Sequence, residues 1–258
     1  MRCEATVFLV GAGPGAADLI TLRGARVLAQ AQIIFADALA GDELRALAPH
    51  ARWVNVGKRC GGHSVAQDEI CEALVEAANH YPTVVRLKGG DPMIFGRADE
   101  EISALRAAGI RHEVVPGITA ACAAAASLKV SFTSRGVRRS VSFATPSVGA
   151  DLQADQSWLN AVRGTDATAL YMASHQRESL SAQMLRAGVA PGKPLIAMQS
   201  VSTGQEQRWS GTVATLPECP LRKEDGPILL VLGVAVPTAQ VDFATTKMAS
   251  IMELTPTA

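Results

Sequence analysis

Thr83-Val84-Val85-Arg86-Leu87-Lys88-Gly89-Gly90-Asp91-Pro92-Met93-Ile94-Phe95-Gly96-Arg97 decides the reading of this chain. The run from Thr83 to Leu87 reads as a β-strand, and Gly89-Gly90 ends it. Two adjacent glycines let the backbone turn sharply and come close to a ligand, because no Cβ stands in the way. Asp91 then offers a carboxylate, an acceptor without a proton, at the strand's C-terminal edge, where open α/β sheets bind ligands. Arg86, Lys88 and Arg97 are read as positive charge on either side of that crevice.

The segments around it alternate in the same way. Thr6 to Val10, Gln32 to Ala36, Trp53 to Val56 and His112 to Val115 have strand composition and end at Gly11, Asp37, Gly57 and Pro116-Gly117. Between them, Thr21 to Gln30 and Glu100 to Ala108 have helical composition, the second stopped by Gly109. Ile70, Leu74 and Ala78 recur at four-residue spacing on one helical face. Ser64-Val65-Ala66-Gln67 has the spacing of a capping box at the start of that helix. Strand–helix alternation predicts a mostly parallel sheet covered on its faces. Ile118 to Leu128 is dominated by alanine and reads as a tightly packed helix or connector. Beyond it, strands at Ser140 to Ala144, Thr168 to Met172, Leu195 to Met198, Gln207 to Val213 and Ile228 to Leu232 follow with less helix between them, predicting a mixed sheet. The expected organisation is α/β, with one domain over residues 1–117, a second over 118–236, an active cleft between them, and a mobile tail over 237–258.

Composition narrows the function. A formal net charge of +0 and 4% aromatic residues argue against a nucleic-acid surface. No run approaches the roughly 18–20 apolar residues that span a bilayer, and Met1 to Val10 is too short an apolar run for a signal peptide. Five cysteines without a C-x-x-C pair read as reduced thiols in a cytoplasmic protein, and five scattered histidines show no metal-ligand spacing. Gly11-Ala12-Gly13-Pro14-Gly15-Ala16 after the first strand, with Asp37 about 20 residues on, satisfies a dinucleotide fingerprint. Pro14 has no N–H to offer a pyrophosphate, which counts against that reading. A dinucleotide-dependent oxidoreductase therefore stays open here. Lys58-Arg59 after the third strand, and Arg135, Arg138 and Arg139 near the domain boundary, place further positive charge about the cleft. Arginine's planar fork matches carboxylates in pairs, so the cluster suggests a substrate with several carboxylates.

Taken together, Gly-Ala-Gly-Pro-Gly (11–15), Val-Gly-Lys-Arg (56–59), Arg-Leu-Lys-Gly-Gly-Asp-Pro (86–92) with Ile-Phe-Gly-Arg (94–97), Val-Val-Pro-Gly-Ile-Thr-Ala (114–120) and Tyr-Met (171–172) closely resemble the tetrapyrrole methylases. The likeness extends over about residues 5–236 and is nearest to the members that act on uroporphyrinogen III. It implies S-adenosylmethionine as methyl donor, S-adenosylhomocysteine as by-product, no metal, and a homodimer of two-domain subunits. By matching positions it implies cofactor contacts at Pro14, Gly89, Gly90, Asp91, Ile94, Thr119, Ala120 and Met172. Asp37 matches a proton acceptor and Lys58 a proton donor, with Arg59, Arg97 and Arg135 toward the substrate. The implied reaction methylates rings A and B to give precorrin-2, on the sirohaem, cobalamin or haem d1 branch. Another tetrapyrrole as substrate, or ligand binding without methyl transfer, remain the alternatives. The chain departs from the usual pattern at Ala38 (usually arginine), Ser134 (histidine), Thr145-Pro146-Ser147 (Thr-Gly-His), Ala173 and Val201 (glycine) and Val234 (polar).

Overall fold

The computed structural model describes residues 5–57, 66–146, 156–173 and 176–236. Two five-stranded sheets follow one another along the chain. The first holds β1 (Thr6–Gly11), β2 (Ile33–Ala36), β3 (Arg52–Asn55), β4 (Thr83–Lys88) and β5 (Arg111–Val115), all parallel, in the order β3-β2-β4-β1-β5. The second holds β6 (Val141–Ala144), β7 (Ala167–Leu170), β8 (Pro194–Gln199), β9 (Gln207–Thr212) and β10 (Ile228–Leu232), in the order β6-β7-β10-β8-β9. Its β6–β7 pair is parallel and the other three pairs are antiparallel. Both expectations, a parallel first sheet and a mixed second one, are met.

The central strands of each sheet are buried on both faces and read as largely apolar runs, while the edge strands β3, β5, β6 and β9 are more exposed. In the first, Val7, Leu9, Phe35 and Val84 face α2 (Gln67–His80) and α3 (Ala98–Ala107), while Val10, Ile34, Val85 and Leu87 face α1 (Leu22–Leu28). In the second, Leu170, Leu195 and Leu230 pack under α5 (Trp158–Gly164) and α6 (Arg177–Arg186). The opposite face, with Ala169, Ile196, Met198 and Val231, packs against α4 (Ala120–Leu128). The alanine run is thus a helix whose small side chains let it lie close to the second sheet.

The helix starts depend on local chemistry. Thr21 caps α1 by accepting the Gly24 N–H at 3.1 Å. The expected capping box at α2 is not formed as read. Ala66 occupies the N-cap, Ser64 lies outside the described residues, and Gln67 turns its amide to Glu101 at 3.2 Å. The tail over 237–258 also lies outside the described residues.

One buried feature was not expected. Strand alternation sends Arg86 and Lys88 to the same side as Val84, under the sheet, rather than into the crevice. There Glu101, fully buried on α3, accepts Arg86 Nε at 2.9 Å and Lys88 Nζ at 2.8 Å. Arg86 Nη2 reaches on to Asp37 Oδ1 at 2.5 Å. Two cations and two carboxylates balance. Burial, and then the neighbouring Arg86 charge, push the Lys88 amine down from its ordinary value, with Glu101 opposing. Arg86 is driven up: burial works against its charge, but Asp37 and Glu101 outweigh it.

Two outcomes follow for stability. Glu101→Ala leaves the buried Lys88 amine without its carboxylate and takes one of Arg86's two carboxylate partners, and should destabilise the fold by about 3–5 kcal/mol, read by urea unfolding. Gly117→Ala would set a Cβ 2.2 Å from the Gly90 carbonyl oxygen and 2.8 Å from Gly11 Cα, and should cost at least about 1–3 kcal/mol. Gly164→Ala, with no atom within 4 Å of the new Cβ, is the control and should melt no lower than the parent.

Candidate active site

The loops after β1, β4 and β5 lie side by side at the C-terminal edge of the first sheet, and glycine lets them touch. A Cβ on Gly11 would stand 2.5 Å from Gly117 Cα and 2.7 Å from the Gly90 oxygen. Gly13 and Gly90 exchange backbone hydrogen bonds, Gly90 N–H to Gly13 O at 2.7 Å and Gly13 N–H to Gly90 O at 3.2 Å. Both adopt positive φ, +83° and +67°. The Asp91 carboxylate ties the arrangement together: Oδ1 accepts the Met93 N–H at 2.8 Å and Oδ2 the Gly117 N–H at 2.9 Å. Asp91 therefore shapes the loop with the two bonds it makes.

Contacts continue from these loops across to the second sheet. Thr119, at the N-cap of α4, meets the hydroxyl of Tyr171 at 2.6 Å, and the Ala121 N–H donates to the same oxygen at 3.1 Å. Burial raises the Tyr171 phenol above its ordinary value, with those two bonds opposing, so the phenol stays neutral. The Tyr171 ring lies 5.1 Å from Phe95, in the β4–α3 loop, and 5.9 Å from Phe143 on β6. On the other side of the gap, the Ala16 N–H donates to Ser202 Oγ at 3.1 Å. Phe95, Met172 and Met93 stay 41%, 50% and 56% exposed, apolar side chains left open beside the glycine loops. Phe95, Arg97 and Met172 hold φ between 52° and 55°, a conformation uncommon outside glycine that often marks a functional site.

Most of the expected cofactor positions are brought together. Pro14 follows Gly13 in the bridge to Gly90; Asp91 and Ile94 share one turn, the Ile94 N–H bonding Asp91 O at 3.2 Å. Thr119 and Ala120 open α4, and Met172 follows the tyrosine clasped to Thr119. Asp37 sits just past β2, with Arg86 as its ion-pair partner among the described residues. Leu39, two residues on, packs where a Cβ on Gly89 would fall, 2.8 Å away. Lys58 and Arg59 lie outside the described residues. Arg97 occupies the N-cap position of α3 without a side-chain capping bond, its guanidinium held by both oxygens of Glu100, at 2.6 and 2.7 Å, on the exposed surface. Arg135 is exposed in a turn closed by Ser134 and Arg138.

Two readings of charge are corrected. Arg86 and Lys88 do not face the crevice; both are under 5% exposed and paired with Glu101. Glu101 itself was missed. The available signal was the alternation of Val84, Arg86 and Lys88 against Val85 and Leu87: two cations on one face of a core strand demand a buried anion.

The dinucleotide arrangement is not realised. A Rossmann sheet sets its first strand beside its second, whereas here β4 separates them. The N–H groups of Ala12, Gly13 and Ala16 are already bonded to Lys88 O, Gly90 O and Ser202 Oγ. A single 3-10 turn and Thr21 also intervene before α1, so no helix N-terminus opens directly from the glycine loop.

Comparison with known proteins agrees with this geometry. The model of the Tetrapyrrole (Corrin/Porphyrin) Methylases matches residues 6–217. The chain is 39% identical over 229 residues to uroporphyrinogen-III C-methyltransferase of Paracoccus denitrificans (strain Pd 1222), covering 88% of this chain and 80% of that protein. It is 40% identical over 236 residues to siroheme synthase 1 of Yersinia enterocolitica, where 91% of this chain spans only 50% of the longer protein. The crystal structure of uroporphyrin-III C-methyl transferase from Thermus thermophilus complexed with S-adenyl homocysteine superposes with a TM-score of 0.77 at 32% identity, covering 89% of this chain and 97% of that one. By its sequence, its two sheets and its glycine loops, the chain belongs to the tetrapyrrole methylases.

Proposed function

We propose that this protein methylates uroporphyrinogen III on rings A and B with S-adenosylmethionine, giving precorrin-2 and S-adenosylhomocysteine. The observation that carries the reading is the open flank of Gly90. A Cβ there would meet only Thr119 Cα, at 3.9 Å, beside the exposed Met93, Phe95 and Met172. A left-handed glycine facing free space, among apolar side chains and at the edge of a parallel sheet, suits an adenosyl ligand. Pro14, Gly89, Gly90, Asp91, Ile94, Thr119, Ala120 and Met172 would hold it, Asp91 by fixing the loop from beneath.

S-adenosylmethionine, when bound, supplies a methyl group already activated on a sulfonium. The chain's own part is alignment and proton handling. Holding donor and ring carbon in line turns an encounter into an oriented reaction. Methylation leaves positive charge on the macrocycle, and loss of a ring proton restores neutrality. Asp37, partly open at the end of β2, is the base assigned to that proton. Lys58 is the proposed proton donor, and Arg59, Arg97 and Arg135 are the proposed partners for substrate carboxylates. Arg97 would have to exchange its exposed pairing with Glu100 for the substrate.

The chain is proposed to divide at residues 117 and 118 and to work as a cytoplasmic homodimer; among the described residues no helix is long and apolar enough to cross a membrane. Incubating the purified protein with uroporphyrinogen III and S-adenosylmethionine should yield the dimethylated product by mass spectrometry; turnover of a different tetrapyrrole alone would reject the assignment. Asp91→Ala should weaken S-adenosylhomocysteine binding by about tenfold or more in calorimetry, each factor of ten being about 1.4 kcal/mol. Asp37→Asn should bind S-adenosylhomocysteine as the parent does while slowing methyl transfer by about 100-fold or more.

A further inference from the structure

We propose that Arg86 is a positioning residue for methyl transfer: seated on buried Glu101, its guanidinium fixes the Asp37 carboxylate at the end of β2, and Lys88 holds that seat in place. The inference rests on the assignment of Asp37 as the base.

The geometry is specific. All three nitrogens of Arg86 are engaged. Nε donates to Glu101 Oε1 at 2.9 Å, Nη2 to Asp37 Oδ1 at 2.5 Å, and Nη1 to the carbonyls of Leu87 at 3.1 Å and Phe35 at 3.3 Å. A planar fork bonded at every corner cannot rotate, and a lysine ammonium cannot span the same partners. Arg86 takes one oxygen of Asp37; Oδ2 has no hydrogen-bond partner among the described residues. Asp37 is also the one member of the cluster that reaches solvent, its side chain 30% exposed against 3% or less for the other three.

Charge counting supports a role beyond packing. Lys88 alone neutralises Glu101. A second buried cation is not needed for that, and buried ion pairs are often replaceable by apolar side chains without loss of stability. Arg86 is balanced only through Asp37. The groups that face the cluster are accounted for on each side. Gln67, on α2, donates to Glu101 Oε1 at 3.2 Å, and the buried Cys71 thiol lies in the field of Glu101. From above, a Cβ on Gly96 would come within 3.1 Å of Lys88 Cε. The loop over 89–97 and the Asp37 carboxylate therefore rest on the same buried glutamate.

The test compares Arg86→Lys, Asp37→Asn and the double variant in the full chain. It reads single-turnover methylation of uroporphyrinogen III, S-adenosylhomocysteine affinity and the substrate KM. Arg86→Lys should slow transfer by roughly 10- to 100-fold, the scale of a misplaced catalytic group, with affinity and KM within about threefold of the parent. The double variant should be no slower than Asp37→Asn alone, because residues acting through one another are not additive. A folded Arg86→Lys protein transferring at the parent rate overturns the proposal, as does a double variant whose loss is the product of the single losses. Asp37→Asn transferring at the parent rate instead removes the base assignment, and the proposal with it. Should Arg86→Lys fail to bind S-adenosylhomocysteine, Glu101→Gln loosens the same guanidinium from below. It should also slow transfer without adding to the loss from Asp37→Asn, and a multiplicative loss there overturns the proposal.

Discussion

The molecule depends on three backbones meeting where no side chain fits. Gly11, Gly90 and Gly117 end or follow neighbouring strands, and a Cβ on Gly11 or Gly117 would fall within 3 Å of another loop's main chain. That approach lets Gly13 and Gly90 bond each other and lets Asp91 clasp the turn after β5. The turn after β5 leads straight into α4, whose first residues hold Tyr171 of the second sheet. A close main-chain contact in one half thus sets the position of the other half.

Much of this was legible. The strands showed as apolar β-rich runs ended by glycine or proline, and the loop sequences carried the family. What could not be read was the direction of charge. Arg86 and Lys88 beside Gly89-Gly90 look like ligand-facing cations until the pleat is counted, and their partner Glu101 comes from a helix thirteen residues beyond Lys88. Tertiary burial overrode the local impression. The capping box differs for another reason: α2 begins at Gln67 with Ala66 at its N-cap, so Gln67 stands at the first helical position rather than the third, and its amide N–H donates to Glu101.

The departures from the family pattern have structural counterparts in the second half. Ala173, Val201 and Val234 are all buried, at 4% exposure or less, the last two in the cluster that receives α4. Val201 and Val234 add apolar contact beneath the helix that opens at Thr119, whereas Ala173 joins the core on the other face of the sheet. Ala38 packs directly against Gly57, where a Cβ would overlap its backbone nitrogen. The segment after Asp37 is therefore held against the end of β3.

The strand order has a consequence for how the chain is made. Among the described residues, β1 pairs only with β4 and β5, and β2 only with β3 and β4. A nascent chain that has left the ribosome as far as residue 80 holds β1 without a neighbour, since the strand that joins it to the β2–β3 pair is still inside the exit tunnel. Sheet assembly must wait for that central strand and then close two connections at once, residues 12–82 to β1 and residues 37–82 to β2, which places this half among the slow, nonlocal folding topologies.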